Sequence, residues 1–364
     1  MEIIVIHKDE LQFVPPVISS CLILSDLGHE ITLIDEGVPN YWKKKFKEND
    51  IKIVEIPRKK NISRKLSLLF SYYHFKKAVF SYLRRNASSN TLLWIEGGQT
   101  INCLGCGIKQ YKYILQILEL YELKKMQFKA IGKVINEAQT IFMPEYNRTA
   151  LYQVWFHLAK RPIVLPNKPY FIPGRSLLHS LEQKHQSLLK RINGKKIILY
   201  QGYIGLERDI SCFVKATKQL GEDFVFVVLG RDCGALEEYK QIDSDIVHID
   251  YLAAPDYLLI TSKAYIGILT YIPDSENNIF CAPNKIYEYS AFGLPMIGND
   301  IPGLKILEFE HAGLVVDEYD TDGIYRAIRA IDSNYSMYSE AAKALYEKMD
   351  NKKTIENELN RISF

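Results

Sequence analysis

CAPNKIYEYSAFGLPMIGND, residues Cys281 to Asp300, is the stretch whose reading decides the fold. Pro283 and Asn284 suit a helix start, because proline fixes φ and lacks an amide hydrogen that the first turn does not need. Ile286, Tyr289, Ser290 and Gly293 then share one helical face, with Glu288 and Ala291 beside it. Gly293 and Pro295 stop the helix. Leu294 to Gly298 is a short apolar run that reads as a buried strand. The predicted unit is helix then strand, with Lys285 in the first turn and Glu288 one turn in.

A helix N-terminus presents free amides and partial positive charge, which suits a phosphate. Lys285 adds a full charge at that end. Glu288 can accept hydrogen bonds from a ribose diol, as acidic side chains do in dinucleotide sites. The same spacing also fits an ordinary α/β helix with a solvated Lys and Glu. The pattern P-N-K-x-Y-E-Y-x-A-x-G-x-P resembles the nucleotide-sugar signature of retaining GT-B glycosyltransferases of the family-4 (group 1) type. The resemblance implies an α/β GT-B fold, with two Rossmann-like doubly wound domains facing a cleft. It also implies that Glu288 holds the ribose of a sugar nucleotide and that Asn284 belongs to the donor site. That family often has a second Glu eight residues earlier, near the sugar; here the position is Phe280.

The chain has 364 residues, enough for two ordinary domains. Hydrophobic content of 47% and charged content of 24% are those of a water-soluble globular protein. No run of 18 apolar residues occurs, so no spanning helix is expected. The opening MEIIVIHKDE reads as a strand rather than a signal peptide, and the expected location is cytoplasmic. Cys21, Cys212 and Cys281 read as core residues. Cys103 and Cys106 form a lone C-x-x-C, without the second pair that a zinc site needs. Residues 1–190 hold 28 Lys and Arg against 16 Asp and Glu, and residues 191–364 hold 18 against 27. A basic half therefore precedes an acidic half, and the basic half should prefer an anionic surface.

Strand and helix signals alternate from the start: strand Glu2–His7, helix Val14–Leu27, strand Ile31–Asp35, strand Ile51–Ile56, strand Thr91–Glu96. Asp9 and Glu10 lie in the first loop, on the side where acceptors enter GT-B enzymes by the resemblance. Gly97 and Gly98 follow a strand end, where functional loops of such sheets lie, and could admit a substrate to the backbone. A plain turn fits them equally. Strand Tyr113–Leu118 leads to Glu119 and Glu122. A carboxylate just past a strand end is a candidate general base or acceptor ligand, and Glu122 is the first choice. The segment with Tyr41, Trp42, Lys43, Lys44, Lys45, Phe46 and Lys47 interleaves aromatics with cations. So does the longer one from Arg58, Lys59, Lys60, Arg64 and Lys65 to Arg84 and Arg85. Such patterns suit a bilayer interface with anionic lipid. A core-packing helix with a basic back fits them too. Nucleic acid is not expected, since no nucleic-acid fold accompanies the charge.

Residues 1–168 are expected to form an N-terminal acceptor-binding domain, with a hinge over 169–194. Residues 195–340 should form a nucleotide-sugar domain, and 341–364 are C-terminal helices that pack back on the first domain. Strand Lys195–Gln201 opens the second domain. Gly202 and Gly205 follow it, with Arg208 next. A glycine loop feeding a helix with a cation can hold a diphosphate. By the resemblance, Arg208 stands for one of two phosphate cations, while Tyr203 replaces the other. Tyr251 follows the strand that precedes the base-binding loop in that family. Asn278 lies in the polar loop where the sugar belongs.

The expected reaction is sugar transfer from a nucleoside diphosphate sugar to a saccharide or lipid-linked acceptor. The resemblance adds retention of configuration and no bound metal or cofactor. Arg208, Lys285 and the helix end would stabilise the leaving diphosphate. Peripheral contact with the inner face of a membrane follows from the basic half. Two other classes share the fold: a sugar-nucleotide epimerase and a non-catalytic partner subunit.

Overall fold

The computed structural model describes residues 1–58, 64–205 and 208–362. Lys59 and Lys60 of the basic run, and the side chains of Arg64 and Lys65, lie outside the described residues. The chain forms two compact units. The first comprises Met1–Tyr170 and Asp350–Phe364, the second Phe171–Met349. The helices expected over 341–364 therefore divide at residue 349 between the two units.

The first unit is a seven-stranded parallel sheet. Its strands are β1 (Glu2–His7), β2 (Glu30–Asp35), β3 (Lys52–Glu55), β4 (Thr91–Glu96), β5 (Lys112–Gln116), β6 (Thr140–Met143) and β7 (Ile163–Val164). Their order is β3-β2-β1-β4-β5-β6-β7. Ile3 to Ile6 of β1 and Leu92 to Ile95 of β4 are fully buried. Near-continuous apolar runs are what a parallel sheet covered on both faces requires. The strand order reverses between β1 and β4, and ligands of open α/β sheets bind at that kind of point.

The second unit has six parallel strands: β8 (Lys196–Gln201), β9 (Phe224–Leu229), β10 (Val247–Ile249), β11 (Ile266–Leu269), β12 (Met296–Asn299) and β13 (Gly313–Val316). Their order is β10-β9-β8-β11-β12-β13, which reverses between β8 and β11. Two apolar clusters fill the faces of this sheet, one around Leu199, Val227 and Tyr289, the other around Ile198, Phe226 and Ile328.

Polar side chains at the carboxyl ends of β2, β1, β4 and β5 form a row across the first sheet. His7 pairs in register with Glu96, and Glu96 with Gln116. His7 Nδ1 lies 2.7 Å from Asp35 Oδ2. The Trp94 indole donates to Glu96 Oε1 at 3.0 Å and to Gln116 Oε1 at 2.9 Å. Ser20, on helix α1 (Pro15–Asp26), donates to Gln116 at 2.8 Å. Glu96 is fully buried, and its second carboxyl oxygen has no hydrogen-bond partner among the described residues. Burial pushes its pKa up to about 8.

The aromatic and basic segments are helices with two faces. In α2 (Asn40–Glu48), Trp42 and Phe46 are core residues, while Lys43 pairs with Glu55 and Lys45 with Glu48. In α3 (Arg64–Asn86), Ser71, Phe75, Val79 and Leu83 are buried at every fourth position. Its opposite face exposes Phe70, Tyr73, Lys76, Lys77, Arg84 and Arg85. Among the described residues, no helix is long and apolar enough to cross a membrane.

Candidate functional site

In the second unit, the sequence-predicted helix runs from Asn284 to Ala291 and starts after Pro283, whose φ is −70°. Ile286, Tyr287, Tyr289 and Ser290 anchor it in the core. That packing fixes which way the helix is turned. It places Lys285 in the first turn and Glu288 one turn later, both toward the end of β8. Gly202 follows β8 directly. A Cβ built on Gly202 would stand 3.3 Å from Lys285 Nζ, so the ammonium lies against the space where a side chain would begin. Gly202 has φ +144°, a conformation that side chains rarely adopt.

Lys285 is an unusual cation. Burial and the nearby Arg208 charge depress its pKa to about 8, with Glu288 opposing. Arg208 lies three residues before helix Ser211–Gln219 rather than within it. Its amide donates to the Gly205 carbonyl at 3.0 Å, which closes the loop, and its guanidinium stands 4.8 Å over the Tyr271 ring. Two cations held close at a glycine loop and a helix start favour a ligand with more than one negative charge.

Glu288 is only 4% exposed, and its carboxylate is held from two sides. Gln201 Nε2 donates to Oε2 at 2.6 Å, and the Tyr257 hydroxyl donates to Oε1 at 2.7 Å. Burial raises the Glu288 pKa, while Tyr257, Lys285 and Gln201 oppose the rise. Thr261 donates to Gln201 Oε1 at 2.9 Å, which turns the amide nitrogen toward Glu288. Gln201, Tyr257 and Thr261 were not among the site residues read from the sequence. Gln201 sits in a strand end next to the predicted glycine loop, which is the one signal that could have found it.

The other second-unit candidates are Asn284, Tyr251 and Asn278. Asn284 is the first helical residue and partly buried. Tyr251 is exposed, with its amide bonded to Asp250. Asn278 lies in the short helix Glu276–Ile279 rather than in a loop, and donates to Asp274 at 2.7 Å. Phe280 ends the short helix Glu276–Ile279 and is partly buried.

In the first unit, Gly97 and Gly98 begin helix α4 (Gly97–Leu104) rather than form a loop. The Tyr121 hydroxyl accepts the Gly98 amide at 2.8 Å, and its ring would stand 2.6 Å from a Cβ on Gly98. The space these glycines leave is thus filled by Tyr121, itself at φ +64°. Glu122 is partly buried and lies near Tyr152, as do Glu119 and Arg148. Asp9 is partly buried and 3.8 Å from Arg58, and Glu10 is exposed and accepts from Gln12. Lys8, just before them, is 1% exposed. It donates to Glu36 at 2.6 Å and to Ser71 at 3.1 Å, and lies over the Tyr72 ring.

Residues 195–334 match the family described as Glycosyl transferases group 1. The sequence matches no curated protein. Solved structures share the fold over essentially the whole chain. HepE from Anabaena, in complex with UDP and glucose, is 10% identical over 100% of both chains, with a TM-score of 0.70. Sucrose-phosphate synthase from Thermosynechococcus elongatus is 15% identical over 99% of this chain and 98% of its own, with a TM-score of 0.71. A putative UDP-N-acetylglucosamine 2-epimerase from Listeria monocytogenes is 14% identical over 100% and 97%, with a TM-score of 0.67. At such identities the likeness is one of fold. The chain has the GT-B fold, and its second unit carries the match to the group 1 glycosyltransferases.

Proposed function

We propose that this chain moves a sugar from a nucleoside diphosphate sugar to a saccharide or lipid-linked saccharide acceptor, with retention and without a metal. The observation that carries the reading is the cluster of Lys285, Arg208 and Glu288 around the Gly202 loop. The group 1 match over 195–334 supports it, as does a structural neighbour in complex with UDP and glucose. In the reaction, the bond from the anomeric carbon to the diphosphate oxygen breaks and one to the acceptor oxygen forms. The acceptor proton leaves with the released diphosphate. Lys285 and Arg208 take the charge that grows on the leaving group, with Gly202, Gly205 and Asn284 shaping the diphosphate pocket. Glu288 binds the ribose, Tyr251 flanks the base and Asn278 the sugar. Glu122, with Asp9, Glu10, Gly97 and Gly98, serves the acceptor side. The basic first unit works at an anionic membrane surface on the cytoplasmic side, in synthesis of a surface polysaccharide or glycoconjugate.

Thermal stabilisation by a panel of nucleoside diphosphates tests the donor site. A ligand at a hundred times its Kd adds about 2.7 kcal/mol to the folded state. One diphosphate should raise the melting temperature, and Glu288→Ala and Lys285→Ala should each abolish the rise. A panel without any stabilising member removes the reading. The epimerase alternative, prompted by the Listeria neighbour, predicts turnover of the sugar nucleotide with no acceptor present.

A further inference from the structure

We propose that Gln201 and Tyr257 are positioning residues that orient the Glu288 carboxylate for a ribose cis-diol, with Thr261 fixing the orientation of Gln201. The inference rests on the donor-site reading and assigns roles to residues outside it. An ionised carboxylate offers about four lone-pair positions, two on each oxygen. Gln201 Nε2 fills one on Oε2, and the Tyr257 hydroxyl fills one on Oε1. Among the described residues no other group hydrogen-bonds to Glu288. One acceptor position therefore remains on each oxygen. That is the pattern a vicinal diol donates to.

Each of the two donors comes from a different element. Gln201 ends β8, and Tyr257 begins helix Tyr257–Lys263. The carboxylate is thus clamped from both sides and cannot rotate without losing a bond. The amide of Gln201 has two ends of nearly equal shape, and only its partners distinguish them. The Thr261 hydroxyl meets its oxygen at 2.9 Å and the acceptor-only carboxylate takes its nitrogen, which together hold the amide one way round. A flipped amide would set an oxygen against the carboxylate and turn it away. Both donors also favour the ionised carboxylate, which burial opposes. Without them, a protonated Glu288 would offer one acceptor fewer to the diol.

The test compares each ribonucleoside diphosphate with its 2′-deoxy counterpart: UDP with dUDP, GDP with dGDP, by calorimetry on the full chain. In the wild-type protein the ribose form should bind roughly tenfold or more tighter, the size of one hydrogen bond to a charged group. Tyr257→Phe and Thr261→Val should bind both forms with the preference reduced to roughly threefold or less. Glu288→Gln sets the scale for a lost preference. Melting curves check that each variant folds, and Thr261→Val disturbs the packing least. A merely structural role would weaken both forms equally and leave the ratio intact; that result overturns the proposal. A wild-type protein that binds neither pair, or binds both forms alike, brings down the donor-site reading itself.

Discussion

Gly202 and Gly230 meet backbone to backbone: a Cβ on Gly230 would lie 1.9 Å from the Gly202 carbonyl oxygen. Both residues have φ near +145°, at +144° and +147°. The end of β9 therefore braces the loop that touches Lys285. No side chain fits at Gly230, because the obstacle is backbone rather than a movable tip. Gly230→Ala should cost roughly 3 kcal/mol or more, from overpacking and strain together. Gly202→Ala meets only the flexible end of Lys285 at 3.3 Å. It should fold, with about 1–3 kcal/mol of strain, yet bind nucleoside diphosphate weakly. Chemical denaturation and nucleotide titration of the two variants separate these outcomes.

Lys285 sets a pH limit on diphosphate binding. Its pKa is held near 8 by burial first and Arg208 second. Below that value the ammonium is charged and attracts the ligand; above it the charge is lost. Affinity for a nucleoside diphosphate should fall as pH rises through about 8, by up to tenfold per unit. Removing the neighbouring cation restores the charge to higher pH. Arg208→Gln should thus weaken binding overall while moving the midpoint upward. A midpoint unchanged by Arg208→Gln would mean that the pair does not interact. Titrations from pH 6.5 to 9.5 read both quantities.

Glu96 makes a pH-dependent contribution to fold stability. Its ordinary pKa of 4.5 is raised to about 8 by burial. The folded state keeps a proton that the unfolded state releases. The resulting stability is complete below about pH 4.5 and is lost as pH rises through about 8. The slope should approach 1.4 kcal/mol per pH unit, roughly the value for one proton. Glu96→Gln keeps the shape and the Trp94 contact but cannot ionise. Its melting temperature should hold between pH 5 and 8.5 where the wild-type value declines. Parallel decline in both proteins would locate the pH dependence elsewhere, Asp35 being another carboxyl whose pKa burial raises.

Local chemistry explains how much of this was legible beforehand. Strands Glu2–His7 and Thr91–Glu96 fall where their apolar runs place them. Burial on both faces leaves such runs no other role. Lys285 and Glu288 were legible because the helix carries its own start and stop signals. Gln201, Tyr257 and Thr261 were not, because their bonds join residues 31 to 87 positions apart. The hinge expected over 169–194 holds two helices, Arg175–Lys184 and Gln186–Leu189, that meet at His185, which is bonded to Asp256 at 2.9 Å. Gly97 and Gly98 read as open turn residues only while Tyr121 was out of view. The burial of Lys8 had no local signal either, since its partners Glu36 and Ser71 lie 28 and 63 positions away.

The exposed face of α3 bears on the membrane reading. Phe70 is 55% and Tyr73 64% exposed, with Lys77 and Arg84 further along the same side. The buried positions 71, 75, 79 and 83 already satisfy the core, so these residues are not needed for packing. Two aromatics at one end and cations beyond them suit insertion at an interface with anionic headgroups. The protein should cosediment with vesicles containing phosphatidylglycerol and remain free of neutral ones. Each Lys or Arg near such a surface contributes about 1 kcal/mol, so Lys77→Glu with Arg84→Glu should weaken binding by at least tenfold. Tyr73→Ser should weaken it without changing its salt dependence. Equal partitioning of all variants would assign α3 to packing alone, its cations serving as a solvated back.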